Sequence, residues 1–329
     1  MKYRVGIIGC GNIAQVHARI LMDMPDIEIV GCADIKKNKA RDMAAMTGAR
    51  AYSSAESLFN AEMPDAVHIC TPHATHVPLC EAAAERRVAV FCEKPPAVTE
   101  KQWERLKAAA QLIPIGICFQ NRFNPNVVRA HEILDSGEMG GLLGVRAFMT
   151  WKRDEWYYTN NWHGKWKTEG GGCLINQAIH TLDLLIGFLG KPDTVEGSMF
   201  NHHLQGKIEV EDTVEIFLKS GEKRGLLYGS CAYVYDEPVL LELRCEKGTL
   251  TIRDDLLIVN SGSESETIRC PMDPALGASY WGGGHKKCIT DFYRALDEKR
   301  PCRNNPDSCA DTVNAMLGLY ARCRAAGMV

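Results

Sequence analysis

Between residue 4 and about residue 120 the chain repeats one two-part phrase, a short and almost uninterrupted apolar run followed by an amphipathic stretch. RVGIIG, IEIVGCAD, DAVHICTP, VAVFCEKP and IPIGICF are the runs; IAQVHARILMDM, KNKARDMAAMTG, HVPLCEAAAERR and EKQWERLKAAAQL are the stretches between them. A strand that is apolar at nearly every position is buried on both faces, and parallel neighbours need a helical crossover between them. The phrase therefore predicts a doubly wound parallel α/β sheet over residues 1–122.

After Phe123 the pattern changes. A helix-like stretch from Pro125 to Leu134 leads into LLGVRAFMTW, TVEIFLKS, GLLYGSCAYV, VLLELRCE and GTLTIRDD, runs that alternate or follow one another without intervening helices. They predict an α+β domain over 123–329 built on a largely antiparallel open sheet. Two helices interrupt or close it, one after Gly172 and one near HKKCITDFYRALDEK, and DTVNAMLGLYARCRA ends the chain as a third. A length of 329 residues suits two such cores better than one.

Composition narrows the partners. Lys+Arg at 38 against Asp+Glu at 41, with no long run of either sign, makes no field for nucleic acid or a membrane surface, so the expected partner is a small molecule. The 14 cysteines are scattered from Cys10 to Cys323 without a C-x-x-C pair, which fits reduced thiols in the cytoplasm. The opening MKYRVGIIGC has too short an apolar core for a signal peptide, and nothing later approaches the roughly 18 apolar residues of a spanning helix.

GIIGCGNIA sets Gly9-x-Gly11-x-x-Ala14 where the first strand meets the first helix, and Asp34 ends the second strand. Such glycines allow a tight turn and bring backbone N–H groups close to a pyrophosphate at the positive end of a helix. An acid at about this distance accepts from the adenosine ribose hydroxyls and repels a 2′-phosphate, so NAD is expected over NADP, which Lys36 and Lys37 would help accommodate. FCEKPPAV places Glu93 and Lys94 at the end of a buried strand, where ligands bind in a doubly wound sheet. Lysine there either stabilises a substrate alkoxide or pairs with Glu93, and these residues alone do not choose.

The order G-x-G-x-x-A, TPHATH, EKPPA, QNRF and GGGCLINQAIHTLDLL resembles the glucose-fructose oxidoreductase, inositol dehydrogenase and MocA (Gfo/Idh/MocA) family across essentially the whole chain. The resemblance implies a Rossmann dinucleotide-binding domain, a second domain whose sheet meets the nicotinamide, and NAD(P)-dependent oxidation of a secondary alcohol of a sugar, sugar derivative or inositol. It also implies that Gly9, Gly11, Asn12 and Ile13 hold the pyrophosphate, that Asp34 holds the ribose, and that Thr71, Pro72 and His76 line the cofactor groove. Glu93, Lys94 and Asn121 would stand beside the nicotinamide ribose, with Arg122 at the same edge. Lys94 and His180 are the implied catalytic pair, and Arg122, Trp162, His163 and Asn176 join them at the substrate. Asn176 departs from the aspartate of many members; an amide orients and hydrogen-bonds but does not share negative charge with the histidine. His163 likewise stands where similar members often have arginine in a W-R-G-x-W segment.

Four tryptophans fall in WKRDEWYYTNNWHGKW with Tyr157 and Tyr158. Either these rings cover a sugar, with Asn160, Asn161, His163 and Lys165 taking hydroxyls, or they pack at a domain or subunit contact. His285 reads as a helix cap or surface residue. Asn176, His180 and Asp183 recur at helical spacing beside an apolar stripe of Ile175, Ile179, Leu182 and Ile186. With one histidine and no H-x-x-x-H pair, that row predicts no metal, and Asp183 is expected to orient His180. Two further readings remain: a glycosidase or lyase using tightly bound NAD through a transient 3-keto sugar, and a silent sugar or nucleotide sensor. The sheet of the second domain is expected to pair two or four copies.

Overall fold

The computed structural model describes residues 3–159, 162–272 and 282–329. The chain divides into two compact units; the first runs to Phe119 and takes in His285–Cys309, and the second holds most of the rest. The sequence expectation placed everything after residue 122 in the second domain. The difference is that His285–Cys309 belongs with the first unit: Phe292, on the helix that opens this segment, packs its ring against Phe91 at 5.4 Å.

In the first unit β1 (Tyr3–Ile8), α1 (Asn12–Met22), β2 (Ile27–Ala33), α2 (Lys37–Thr47), β3 (Arg50–Tyr52), α3 (Ala55–Glu62), β4 (Ala66–Ile69), α4 (His76–Glu85), β5 (Ala89–Cys92), α5 (Glu100–Ala110) and β6 (Ile115–Ile117) follow in turn. The strands are parallel in the order β3-β2-β1-β4-β5-β6. This is the doubly wound Rossmann arrangement, and its order reverses between β1 and β4, so the loops leaving those two strands face the crevice where ligands bind. Val5, Ile7, Val67, Ile69, Val90 and Cys92 are fully buried, as strands covered on both faces must be.

The second unit holds α6 (Pro125–Ser136), β7 (Leu142–Thr150), α7 (Glu155–Tyr158), a π-helical turn Leu174–Ala178, α8 (Ile179–Leu189), β8 (Thr194–Phe200), β9 (Thr213–Ser220), β10 (Lys223–Ser230), β11 (Leu240–Cys245), β12 (Gly248–Arg253), β13 (Leu256–Ser261) and β14 (Glu264–Arg269). The helix α9 (His285–Glu298) is the one returned to the first unit, and α10 (Pro306–Ala325) closes the chain. The eight strands form one sheet ordered β14-β13-β12-β11-β7-β10-β9-β8. Among the described residues of this sheet only β7 and β10 pair in parallel. Ile179, Leu182 and Leu185 of α8 are fully buried, as are Leu227 on β10 and Leu243 on β11.

One close approach sets the turn after β1. Gly9 has φ +87°, and a Cβ on it would lie 2.6 Å from the carbonyl oxygen of Cys70, at the end of β4. The left-handed conformation alone costs a side chain about 1–2 kcal/mol, and the clash adds to that. Gly9→Ala is therefore expected to lower the melting temperature and to weaken dinucleotide binding at least tenfold; calorimetry that finds both unchanged would refute this reading of the loop.

Candidate active site in two halves

In the first unit the candidate side chains gather at the carboxyl ends of β1, β2, β4 and β5. Gly11 is the residue before α1, and a Cβ there would meet nothing within 4 Å. No side chain caps the helix and no acid sits in its first turn. Its free N–H groups and partial positive charge therefore open onto space that a pyrophosphate suits. Asn12 is exposed and Ile13 half-buried. Asp34 ties this loop down: Cys10 N donates to its Oδ2 at 2.8 Å and Lys36 N to its Oδ1 at 2.7 Å. Each oxygen keeps a second lone pair for a ribose hydroxyl. Lys36 and Lys37 are exposed.

Thr71 and Pro72 are half-buried after β4, whereas His76 is fully buried. Its ring contacts the carbonyl of Pro95 through Nδ1 and that of Thr71 through Nε2, both at 2.8 Å. His76 thus braces the two backbones that shape the groove. Burial pushes its imidazole below the ordinary value, against the pull of those two carbonyls.

Beyond β5, Glu93 is buried and Lys94 half-buried. Glu93 Oε1 lies 2.9 Å from His17 Nε2, and Lys94 N donates to Oε2 at 3.2 Å. A carboxylate only accepts, so the proton of that histidine contact sits on Nε2. Burial would raise the Glu93 carboxyl, but the hydrogen bond and charge of His17 outweigh it, with His285 and Lys94 adding, and hold it below the usual carboxylate range. The line continues inward: His17 Nδ1 lies 2.9 Å from His68 Nδ1, and His68 Nε2 lies 2.9 Å from the Tyr293 hydroxyl. Burial and then the neighbouring His17 keep His68 well below its ordinary value. Cys118 completes a buried cluster with His17 and Glu93 whose donor atoms all lie within 4.8 Å of one another. His285, expected as a helix cap or surface residue, is the first residue of its helix and is buried; burial drives it down to about 4 although Glu93 pulls the other way. Neither His17 nor His68 stands out in the sequence, because His17 sits singly in an amphipathic stretch and His68 singly in an apolar run.

In the second unit the polar row of Asn176, His180 and Asp183 separates into three sets of partners. Asn176 lies in the π-helical turn, where it donates through Nδ2 to Glu169 Oε1 at 2.6 Å. His180, half-buried on α8, has Gln120 Nε2 3.4 Å from its Nε2. An amide nitrogen donates, so at this contact the ring nitrogen is the lone-pair form that a base requires. Asp183 does not orient His180. Arg122 grips its carboxylate from two nitrogens, at 2.7 and 2.5 Å, and Thr312 Oγ1 donates to it at 2.8 Å. A planar guanidinium satisfies a buried carboxylate better than an imidazole one turn away. Asn121 lies beside Arg122 in the short 3-10 turn Gln120–Phe123.

The aromatic segment also divides. Trp151 and Tyr158 are buried, Tyr158 in a core with Leu204, Ile208 and Val210, while Trp156 is 84% exposed. Trp162 and His163 are half-buried with ring centroids 4.0 Å apart, and Tyr157 lies 4.4 Å from His163. Lys165 is exposed; Asn160 and Asn161 lie outside the described residues.

Beneath the π-helical turn, Glu211 is fully buried and collects Gly172 N at 3.0 Å, Leu174 N at 2.9 Å and the Tyr320 hydroxyl at 2.6 Å. A Cβ on Gly172 would lie 2.0 Å from the Glu211 carbonyl oxygen, so this close approach is what the glycine there serves.

The comparisons with known proteins agree with this architecture. The model of the oxidoreductase family with an NAD-binding Rossmann fold, GFO_IDH_MocA, matches residues 3–112, and that of the GFO/IDH/MocA C-terminal domain matches residues 127–251. The chain belongs to this family, whose first domain is an NAD-binding Rossmann fold. It is similar to the D-glucoside 3-dehydrogenase of Escherichia coli, 31% identical over 57% of this chain and 54% of that one. The inositol 2-dehydrogenase of Rhizobium meliloti is 26% identical over 76% of this chain and 75% of the relative. The chain thus spans little more than half the length of the first of these relatives. The WlbA dehydrogenase of Bordetella pertussis, solved with NADH and UDP-GlcNAcA, superposes with a TM-score of 0.85 at 23% identity over 98% of this chain and 97% of its own; this likeness shows the fold. Among the described residues no helix is long and apolar enough to cross a membrane.

Burial pushes Glu211 from 4.5 up to about 7, against donors that pull it down. Folding therefore favours its protonated form: as pH rises from about 4.5 to about 7 the unfolded state loses this proton first, and stability falls before levelling off. The full difference is on the order of 3 kcal/mol. Glu211→Gln, which keeps the shape of the protonated acid, is expected to remove this part of the slope from denaturation profiles recorded across that range; parallel profiles for the two proteins would refute it.

Proposed function

We propose that this chain transfers a hydride between NAD and a secondary alcohol of a sugar, sugar derivative or cyclitol. The observation that carries the reading is Lys94, half-buried at the ligand end of a parallel sheet beside a buried carboxylate held in its ionised form. The dinucleotide supplies the hydride acceptor. Gly9, Gly11, Asn12 and Ile13 would hold its pyrophosphate at the start of α1, Asp34 its adenosine ribose, and Thr71 and Pro72 the groove wall. Glu93 and Asn121 would stand at the nicotinamide ribose.

Alcohol oxidation needs a base for the O–H proton and a positive group for the charge that develops on oxygen. Lys94 supplies the charge and His180 receives the proton. The Gln120 contact keeps the His180 ring oriented for this task. Asn176, Arg122, Trp162 and His163 would complete substrate recognition, Arg122 mainly by fixing Asp183 and the start of α8. The names of the glucoside and inositol dehydrogenase relatives support polyol chemistry in this family.

In an assay of free sugars, sugar acids, sugar nucleotides and inositols with NAD, at least one polyol is expected to yield NADH, and Asp34 should make NADP a much poorer cofactor. Lys94→Ala and His180→Ala should each lower turnover about 10²–10⁴-fold with NAD affinity retained. Near-normal turnover in both variants would sink the assignment.

A further inference from the structure

We propose that Glu169 is a positioning residue for substrate, fixing Asn176 as a hydrogen-bond acceptor for a substrate hydroxyl and holding the Trp162–His163 ring pair through the same carboxylate. The inference rests on the polyol reading above and adds the kind of group this position accepts.

Glu169 is 1% exposed, and both of its oxygens are engaged. Oε1 accepts from Asn176 Nδ2 at 2.6 Å and Oε2 from the backbone N–H of Gly164 at 2.5 Å. Asn176 thus turns its amide nitrogen toward Glu169 and its carbonyl oxygen the other way. A carbonyl oxygen so held accepts from a hydroxyl and disfavours a carboxylate or phosphate. The structure thus assigns Asn176 to a neutral, hydroxyl-bearing part of the substrate.

The second oxygen extends the same control to the aromatic segment. Gly164 follows His163 directly, and the hydroxyl next to Glu169 in the chain, Thr168 Oγ1, donates to the Trp162 carbonyl at 2.5 Å. The ring pair is therefore tied at both ends from the stretch 168–169. Tyr157 joins the pair to the π-helical turn: its ring lies 4.4 Å from His163, and its hydroxyl receives Gln177 Nε2 at 3.3 Å and Asn176 Nδ2 at 3.4 Å. One buried side chain thus holds in register the segment that stacks on a sugar ring and the residue that reads its hydroxyl.

A charge-swap cycle in the full chain tests this. Glu169→Gln lets the Asn176 amide turn over, and should raise KM for the polyol about tenfold while kcat changes less than about threefold. Asn176→Asp sets two carboxylates against each other and should lower kcat/KM at least 100-fold, with a lower Tm. In the variant carrying both substitutions the new amide at position 169 donates to the new carboxylate at position 176, and kcat/KM should recover at least tenfold over Asn176→Asp while Tm returns toward wild type. A double variant no better than the worse single, or an unchanged KM in Glu169→Gln, would overturn the proposal. Should the wild type oxidise no polyol, the functional reading fails, and the thermal cycle alone decides: an unrestored Tm in the double variant refutes the Glu169–Asn176 lock.

Discussion

The carbonyl of Cys70 stands where a side chain on Gly9 would be, and the dinucleotide half of the molecule follows from that approach. It can occur only because β1 and β4 are neighbours, and they are neighbours because the strand order reverses between them. With no Cβ at position 9 the chain turns at once into α1, whose uncapped start opens toward the crevice. The turn is then held by Asp34 through the Cys10 amide. Fold and candidate phosphate site here share one geometry.

A second theme is the use of buried carboxyl groups as fasteners. Glu93, Glu169, Asp183 and Glu211 are each almost fully buried, and each takes donors from at least two separate stretches of chain. Burying such a group is costly unless its lone pairs are used. When they are used, the directionality of hydrogen bonds fixes loops that apolar packing leaves free. In this protein the fastened loops carry the candidate chemistry: Lys94, the Trp162–His163 pair, Arg122 with the start of α8, and the π-helical turn bearing Asn176.

The two-domain architecture was legible because strand periodicity reports burial directly. Runs such as VAVFC could only be interior parallel strands, and the change after Phe123 marked the second sheet. Strands whose burial is incomplete escaped: β3 has three residues, and β14, ESETIR, lies at a sheet edge and is mostly exposed. The placement of α9 escaped as well, since an amphipathic helix records that it packs but not on which unit. Among site residues, glycine spacing and the strand-end E-K-P were readable as local geometry. The helical row was misleading about partners: His180 and Asp183 both lie on the regular α8, yet Asp183 pairs with Arg122 and Thr312, which spacing along one helix does not report. Glu169, Glu211, His17 and His68 matter through partners distant in sequence or through burial, and neither has a local signature.

The central claim is that a carbon-bound hydrogen of a polyol leaves as hydride to NAD while this chain takes the hydroxyl proton. It is tested most directly with a substrate deuterated at the oxidised carbon. Deuterium is then expected at C4 of the nicotinamide of released NADH, with a primary isotope effect on single-turnover oxidation. Product formed without net NADH, or NADH free of the label, would contradict it.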